Sequence, residues 1–140
     1  MSTEQTRELT DRLTLAYVAG DAAAIAALLA QDVVHHPPES LGAGPHAGRA
    51  QTAAALALTP GGGALQAGSV EREVALALAD GDSALVKVRV RARTADGADY
   101  RNEVVLISTW RDGEVVRIDE FGDTLNDADL GVVKDVPAWP

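Results

Sequence analysis

Three Asp-Gly dipeptides, Asp80-Gly81, Asp96-Gly97 and Asp112-Gly113, punctuate the second half of this chain and constrain its fold more than any other feature. Glycine supplies the positive φ that tight hairpin turns need, so Asp-Gly between β-rich runs is a strong short-range hairpin signal. The runs it separates are Val70 to Ala79, Ala84 to Thr94, Asp99 to Trp110 and Glu114 to Asp123. Together they predict an antiparallel meander of four long strands.

The first third reads differently. Ser2 or Thr3 can cap a helix over Glu4 to Ala19, where Leu9, Leu13, Ala16 and Tyr17 recur near helical spacing. Gly20 ends that helix, and Asp21 caps a second, Ala-rich one running to Ala30. Asp32 to His36 then reads as a short strand stopped by Pro37 and Pro38. Glu39 to Gly48 is expected to be a loop, and Arg49 to Leu58 a short helix ended by Thr59-Pro60 and Gly61 to Gly63. The tail from Thr124 to Pro140 has weak periodicity. Helices followed by an antiparallel sheet imply one α+β domain over residues 1–140, with the helices on one sheet face.

Composition removes several classes of function. A formal charge of -9 over 140 residues argues against nucleic acid or an anionic membrane as the main partner, because both need basic patches. Without cysteine there is no disulfide framework, thiolate nucleophile or Cys-based metal site. The opening stretch, MSTEQTRELTDRLTLAYVAG, lacks a continuous apolar core, so neither a signal peptide nor a membrane span is expected. A cytoplasmic location is the default expectation.

Strand alternation sorts the residues that could do chemistry. In EVVRIDEFGD, a period of two places Val116, Ile118, Glu120 and Gly122 on one face. Glu120 is then a lone carboxylate on an apolar face, where lost hydration favours the neutral form and makes it a candidate proton carrier. Along Tyr100 to Arg111, one face carries Tyr100, Asn102, Val104, Leu106, Ser108 and Trp110, apolar walls with a few hydrogen-bonding tips. Lys87, Arg89, Arg91 and Arg93 share one face of their strand and suit an ion-pair ladder with Glu71, Glu73, Glu103 and Asp119. His35 and His36 point to opposite faces as strand neighbours, so one of them looks inward as a candidate acid or base. With His46 they lack the spacing of a tetrahedral metal site, and no metal is expected. No nucleophile elbow, phosphate loop or dinucleotide fingerprint occurs.

Several short motifs resemble the SnoaL-like polyketide-cyclase branch of the nuclear-transport-factor-two-like superfamily. They are Ala19-Gly20-Asp21 between two helices, then LLAQDVVHHPP, Gly48-Arg49 opening the third helix, and WRDGEVVRIDEFGDT. The resemblance covers the chain to about Asp127. It implies a curved antiparallel sheet forming a cone, N-terminal helices closing it around an apolar pocket, and a homodimer packed through the sheet. In ketosteroid-isomerase relatives a carboxylate base stands just before the proline of the first strand, where this chain has His36. Leu13 and Leu106 occupy the places of their oxyanion donors. Epoxide-hydrolase relatives carry an Arg-x-Asp pair where this chain reads Lys87-Val88-Arg89. In cyclase relatives a catalytic Asp follows the last Asp-Gly turn, and Glu120 matches that position.

The expected activity is a cofactor-independent cyclase or isomerase acting on a small hydrophobic carbonyl compound. Glu120 and His36 are the expected proton carriers, and Tyr17, Tyr100, Asn102, Trp110 and His35 the expected substrate contacts. Two other readings fit the same residues: a non-catalytic ligand-binding or dimeric accessory protein, and an epoxide hydrolase with a rearranged acid-base set.

Overall fold

The computed structural model describes residues 1–39, 44–57, 65–66 and 68–129. Helix α1 spans Thr3–Ala19, and Ser2 closes its start with a capping box shared with Gln5. Gly20 stops it at φ 65, a left-handed conformation that a side chain would disfavour. Asp21 caps α2, which is only Ala22–Ala26 and shorter than its Ala-rich sequence predicts. The difference is tertiary. Leu29 and Ala30 are pulled into strand β1, Leu29–His36, where they are buried. Between β1 and α3 (Arg49–Ala57), the expected loop contains a two-residue strand, β2, His46–Ala47.

The meander follows as β3 (Glu71–Asp80), β4 (Ser83–Arg93), β5 (Asp99–Arg111) and β6 (Glu114–Phe121). A short helix, α4, Thr124–Asp129, then begins the segment whose sequence showed weak periodicity. The tail beyond it lies outside the described residues. The six strands form one curved, unclosed sheet in the order β2-β1-β6-β5-β4-β3. All pairings are antiparallel except β1 with β6, which run parallel and are joined through β2, α3 and strands β3 to β5.

The helices cover the inner face of this sheet. Val86, Val88, Val90 and Ala92 of β4 and Tyr100 to Trp110 at alternate positions of β5 are buried against Leu13, Ala16, Tyr17, Ile25 and Leu56. Each fully buried aliphatic side chain contributes roughly 1.5–3 kcal/mol. On β6 the strict alternation breaks. The register shifts between Thr109 and Trp110, so Trp110 pairs with Val115 and Thr109 with Arg117. Val116 is the bulged residue, and Val115 replaces it on the inner face beside Ile118 and Glu120. Among the described residues no helix is long and apolar enough to cross a membrane.

Candidate active site

Glu120 reaches its position because β6 pairs with β5 on one side and β1 on the other. Leu106 is its register partner on β5, and His35 lies opposite Ile118 on β1. The Glu120 carboxylate meets the His35 imidazole, with Oε1 3.2 Å from Nε2. His35 is 3% exposed and Glu120 18%. The inward histidine is therefore His35, and strand alternation turns His36 the other way. Glu120 thus contacts His35, while His36, its expected partner, lines the cleft with it. On its far side the His35 ring stacks on His46 of β2, centroids 5.3 Å apart. Burial, reinforced by His35, holds His46 below the ordinary imidazole range.

Behind Glu120 the inner face is polar. The Tyr100 hydroxyl donates to Oδ1 of Asp127 at 2.6 Å, and the Asn102 amide donates to the same oxygen at 3.1 Å. Asn102 also bonds the Asp123 backbone through both ends of its amide, which fixes the start of α4 on β5. Asp127 is buried, and loss of hydration pushes its carboxyl above the ordinary range, with Asp123 and Glu120 adding repulsion. Burial likewise raises the Tyr17 hydroxyl, and Glu120 adds to that shift, so Tyr17 stays neutral and a donor. Arg72 of β3 sits 4.4 Å over the Tyr17 ring and donates to its carbonyl at 2.6 Å, pinning the end of α1.

Glu120 is also the inner wall of a cleft of about 420 Å³. His36, Arg117, Asp119, Phe121, Pro37, Pro38, Glu39, Gly44 and Pro45 form the rest of it. Arg117 is held by Asp119 through two contacts of 2.8 and 2.9 Å, so its charge is spent locally. Gly44 packs so tightly on Pro37 that any side chain there would collide with the ring. By contrast the space inside the cone between Leu13, Tyr17, Leu56 and Leu106 is only about 20 Å³. The open volume beside Glu120 is the cleft.

The expected site residues therefore divide. Glu120, His35, Tyr17, Tyr100 and Asn102 gather at one end of the inner face, and His36 lines the cleft. Trp110 stands two inward-facing rows away, its indole N–H on Ser108, and belongs to the core. Asp127 was not anticipated, since nothing in the weakly periodic tail marks it as inward-facing. Lys87 and Arg89 face outward onto Glu103, as the ion-pair ladder predicts.

A cone-shaped α+β fold with a carboxylate–imidazole pair at one end of its inner face defines the class. The profile of the SnoaL-like domain matches residues 10–118, and the chain belongs to that family, within the nuclear-transport-factor-two-like superfamily. A Kribbella flavida protein named as a candidate ketosteroid isomerase is 30% identical, with 86% of this chain and 79% of that one covered and a TM-score of 0.68. A candidate polyketide cyclase of Pseudomonas putida is 20% identical over 96% and 99%, TM-score 0.68. An epoxide hydrolase of Mycobacterium tuberculosis described as LEH-like is 18% identical over 89% and 86%, TM-score 0.65. The last two likenesses concern the fold alone. No match is found among curated proteins.

Proposed function

We propose that this protein is a general acid-base enzyme of the cyclase or isomerase type, acting without a cofactor on a small hydrophobic carbonyl compound. The observation that carries this reading is the Glu120–His35 contact of 3.2 Å at the wall of an open cleft. In this reading the apolar part of the ligand lies against Pro37, Pro38, Pro45 and Phe121, and its carbonyl reaches past Glu120 toward the buried hydroxyls. Glu120 removes a proton beside the carbonyl and returns it at a second carbon. His35 holds the carboxylate and takes up the change in charge. Tyr17, neutral and with no hydrogen bond to its hydroxyl among the described residues, donates to the oxygen on which the enolate forms.

An epoxide hydrolase of the Arg-x-Asp type is disfavoured by the outward direction of Lys87 and Arg89. The filled cone interior favours a second reading, a non-catalytic binder that uses the cleft alone. Replacing Glu120 separates the two. Glu120→Gln keeps the shape of the side chain and removes the base, so turnover of an aryl or alkyl ketone substrate should fall roughly a hundredfold or more, with the thermal midpoint little changed. A variant as active as the parent would remove Glu120 from the mechanism. Ligand recovered chemically unchanged after incubation with the parent protein would establish the binder.

A further inference from the structure

The outer face of β4 departs at one rung from the ion-pair ladder that its sequence predicts. Lys87 and Arg89 share Glu103, and Arg93 meets Asp99. The Arg91 side chain makes no ion pair or hydrogen bond among the described residues, although Glu71 lies opposite it on β3. Its register partner on β5 is Arg101, whose side chain likewise has none. Both are exposed. Like charges directly opposite on adjacent strands repel and lower stability. The chain carries 21 Asp and Glu against 12 Lys and Arg, so two facing cations without an acid between them stand out.

The two arginines line a cleft of about 460 Å³ together with Arg89, Glu103 and Asp123. It shares no lining residue with the cleft beside Glu120. Both of its carboxylates are already engaged. Glu103 is held by Lys87 and Arg89, and Asp123 accepts from the backbone N–H of Asn126 at 3.0 Å. The Arg101 carbonyl accepts from the Asn126 amide at 2.6 Å, which ties this stretch of β5 to α4. The strands therefore fix the two backbones, and the guanidinium groups of Arg91 and Arg101 keep all their donors for a ligand.

We propose that Arg91 and Arg101 form a second ligand site, which takes the phosphate group of a small molecule. One guanidinium already satisfies both oxygens of a carboxylate through a two-pronged contact. Two side by side offer twice that donor set, which suits the terminal oxygens and the greater charge of a phosphate. The bound anion replaces the repulsion between the arginines with attraction to both. A polynucleotide needs an extended basic surface, which one arginine pair on a chain of net charge -9 does not make. The site is independent of the reaction proposed above, since no residue of the Glu120 cleft takes part in it.

Pyrophosphate serves as the probe, titrated into the full chain at constant ionic strength and followed through the arginine side-chain N–H signals by NMR. It should shift Arg91 and Arg101 saturably and leave Arg7, exposed on α1, unmoved. Arg91→Gln and Arg101→Gln should each weaken binding about tenfold, and Arg7→Gln should leave it unchanged. Malonate, which presents carboxylates only, should bind at least about tenfold more weakly than pyrophosphate. Stability supplies a second readout. Arg101→Gln relieves the repulsion, so its urea midpoint in phosphate-free buffer should equal or exceed that of the parent. It should also lose the rise in midpoint that pyrophosphate gives the parent. No saturable shift with pyrophosphate, or equal losses from Arg7→Gln and Arg101→Gln, would overturn the site. Malonate binding as tight as pyrophosphate would overturn the phosphate assignment. A lower phosphate-free midpoint for Arg101→Gln would make the arginine a structural one and overturn the proposal as well.

Discussion

His46 makes this site sensitive to acid in a way that can be worked out in sign. Its ring stacks on His35, and burial together with His35 disfavours its charged form. Below its ordinary 6.5 the unfolded chain binds a proton at His46 that the folded chain resists. The stability linked to His46 is therefore fully present above 6.5 and is lost as pH falls through that value toward the lowered one. His46→Phe keeps an aromatic ring against His35 and removes the titration. Urea midpoints compared at pH about 7.5 and about 5.5 should fall less for this variant than for the parent. An equal or larger fall would assign the acid sensitivity elsewhere. At this scale the sequence was informative about identity and poor about direction. Glu120 was legible because a carboxylate on an apolar strand face stands out. Choosing between His35 and His36 depends on a register of one residue, which the pairing of β1 with β6 decides and no local pattern records. Asp127 was illegible because its burial comes from bonds to Tyr100 and Asn102, far away in sequence.

At the scale of elements, the Asp-Gly dipeptides located every hairpin of the meander, yet they build three different turns. In the first, Asp80 closes β3 and Gly81 takes the positive φ. The second is a longer loop closed by Thr94 on Ala98, with Gly97 at φ 90. In the third, both Asp112 and Gly113 have positive φ, 51 and 84, as a type I′ turn requires. A Cβ on Gly113 would meet nothing within 4 Å. Gly113→Ala therefore isolates backbone strain from packing and should cost about 1–2 kcal/mol. Asp112→Gly, which relieves a left-handed residue, should be close to neutral. Denaturation midpoints of both variants check this pair, and equal losses would refute the turn assignment. The bulge at Val116 follows directly on this hairpin and changes the face of the residues between it and the turn. Alternation alone cannot show a bulge here, because Val115 and Val116 are the same residue type and either could face inward. Glu120 keeps its inward aim because only the residues before the bulge change face.

At the scale of the whole molecule, the described residues leave a second surface uncovered. On the outer sheet face, Leu78 pairs with Leu85 and Leu85 with Ile107, and the next row joins Leu76 to Val105 and Phe121 through Lys87. Leu76 is 45% exposed, Leu78 57% and Phe121 56%. The face is shaped there as an open groove of about 380 Å³ lined by Leu78, Ala79, Leu85 and Ile107. Contiguous apolar surface of this kind, bordered by the Lys87, Arg89 and Glu103 ion pairs, has the core-and-rim character of an interface. We propose that it is covered by a second copy of the chain, the homodimer through the sheet that the family resemblance implies. A two-fold axis over these rows would bring each Leu78 against apolar residues of its partner, so one charge introduced there is buried twice. Light scattering at micromolar concentration should give twice the 14.5 kDa chain mass for the parent and a monomer for Leu78→Glu. Leu78 lies on β3, at the far edge of the sheet from β1. A parent protein that is monomeric under these conditions would overturn the dimer. A dimer that survives Leu78→Glu would move the interface away from this face.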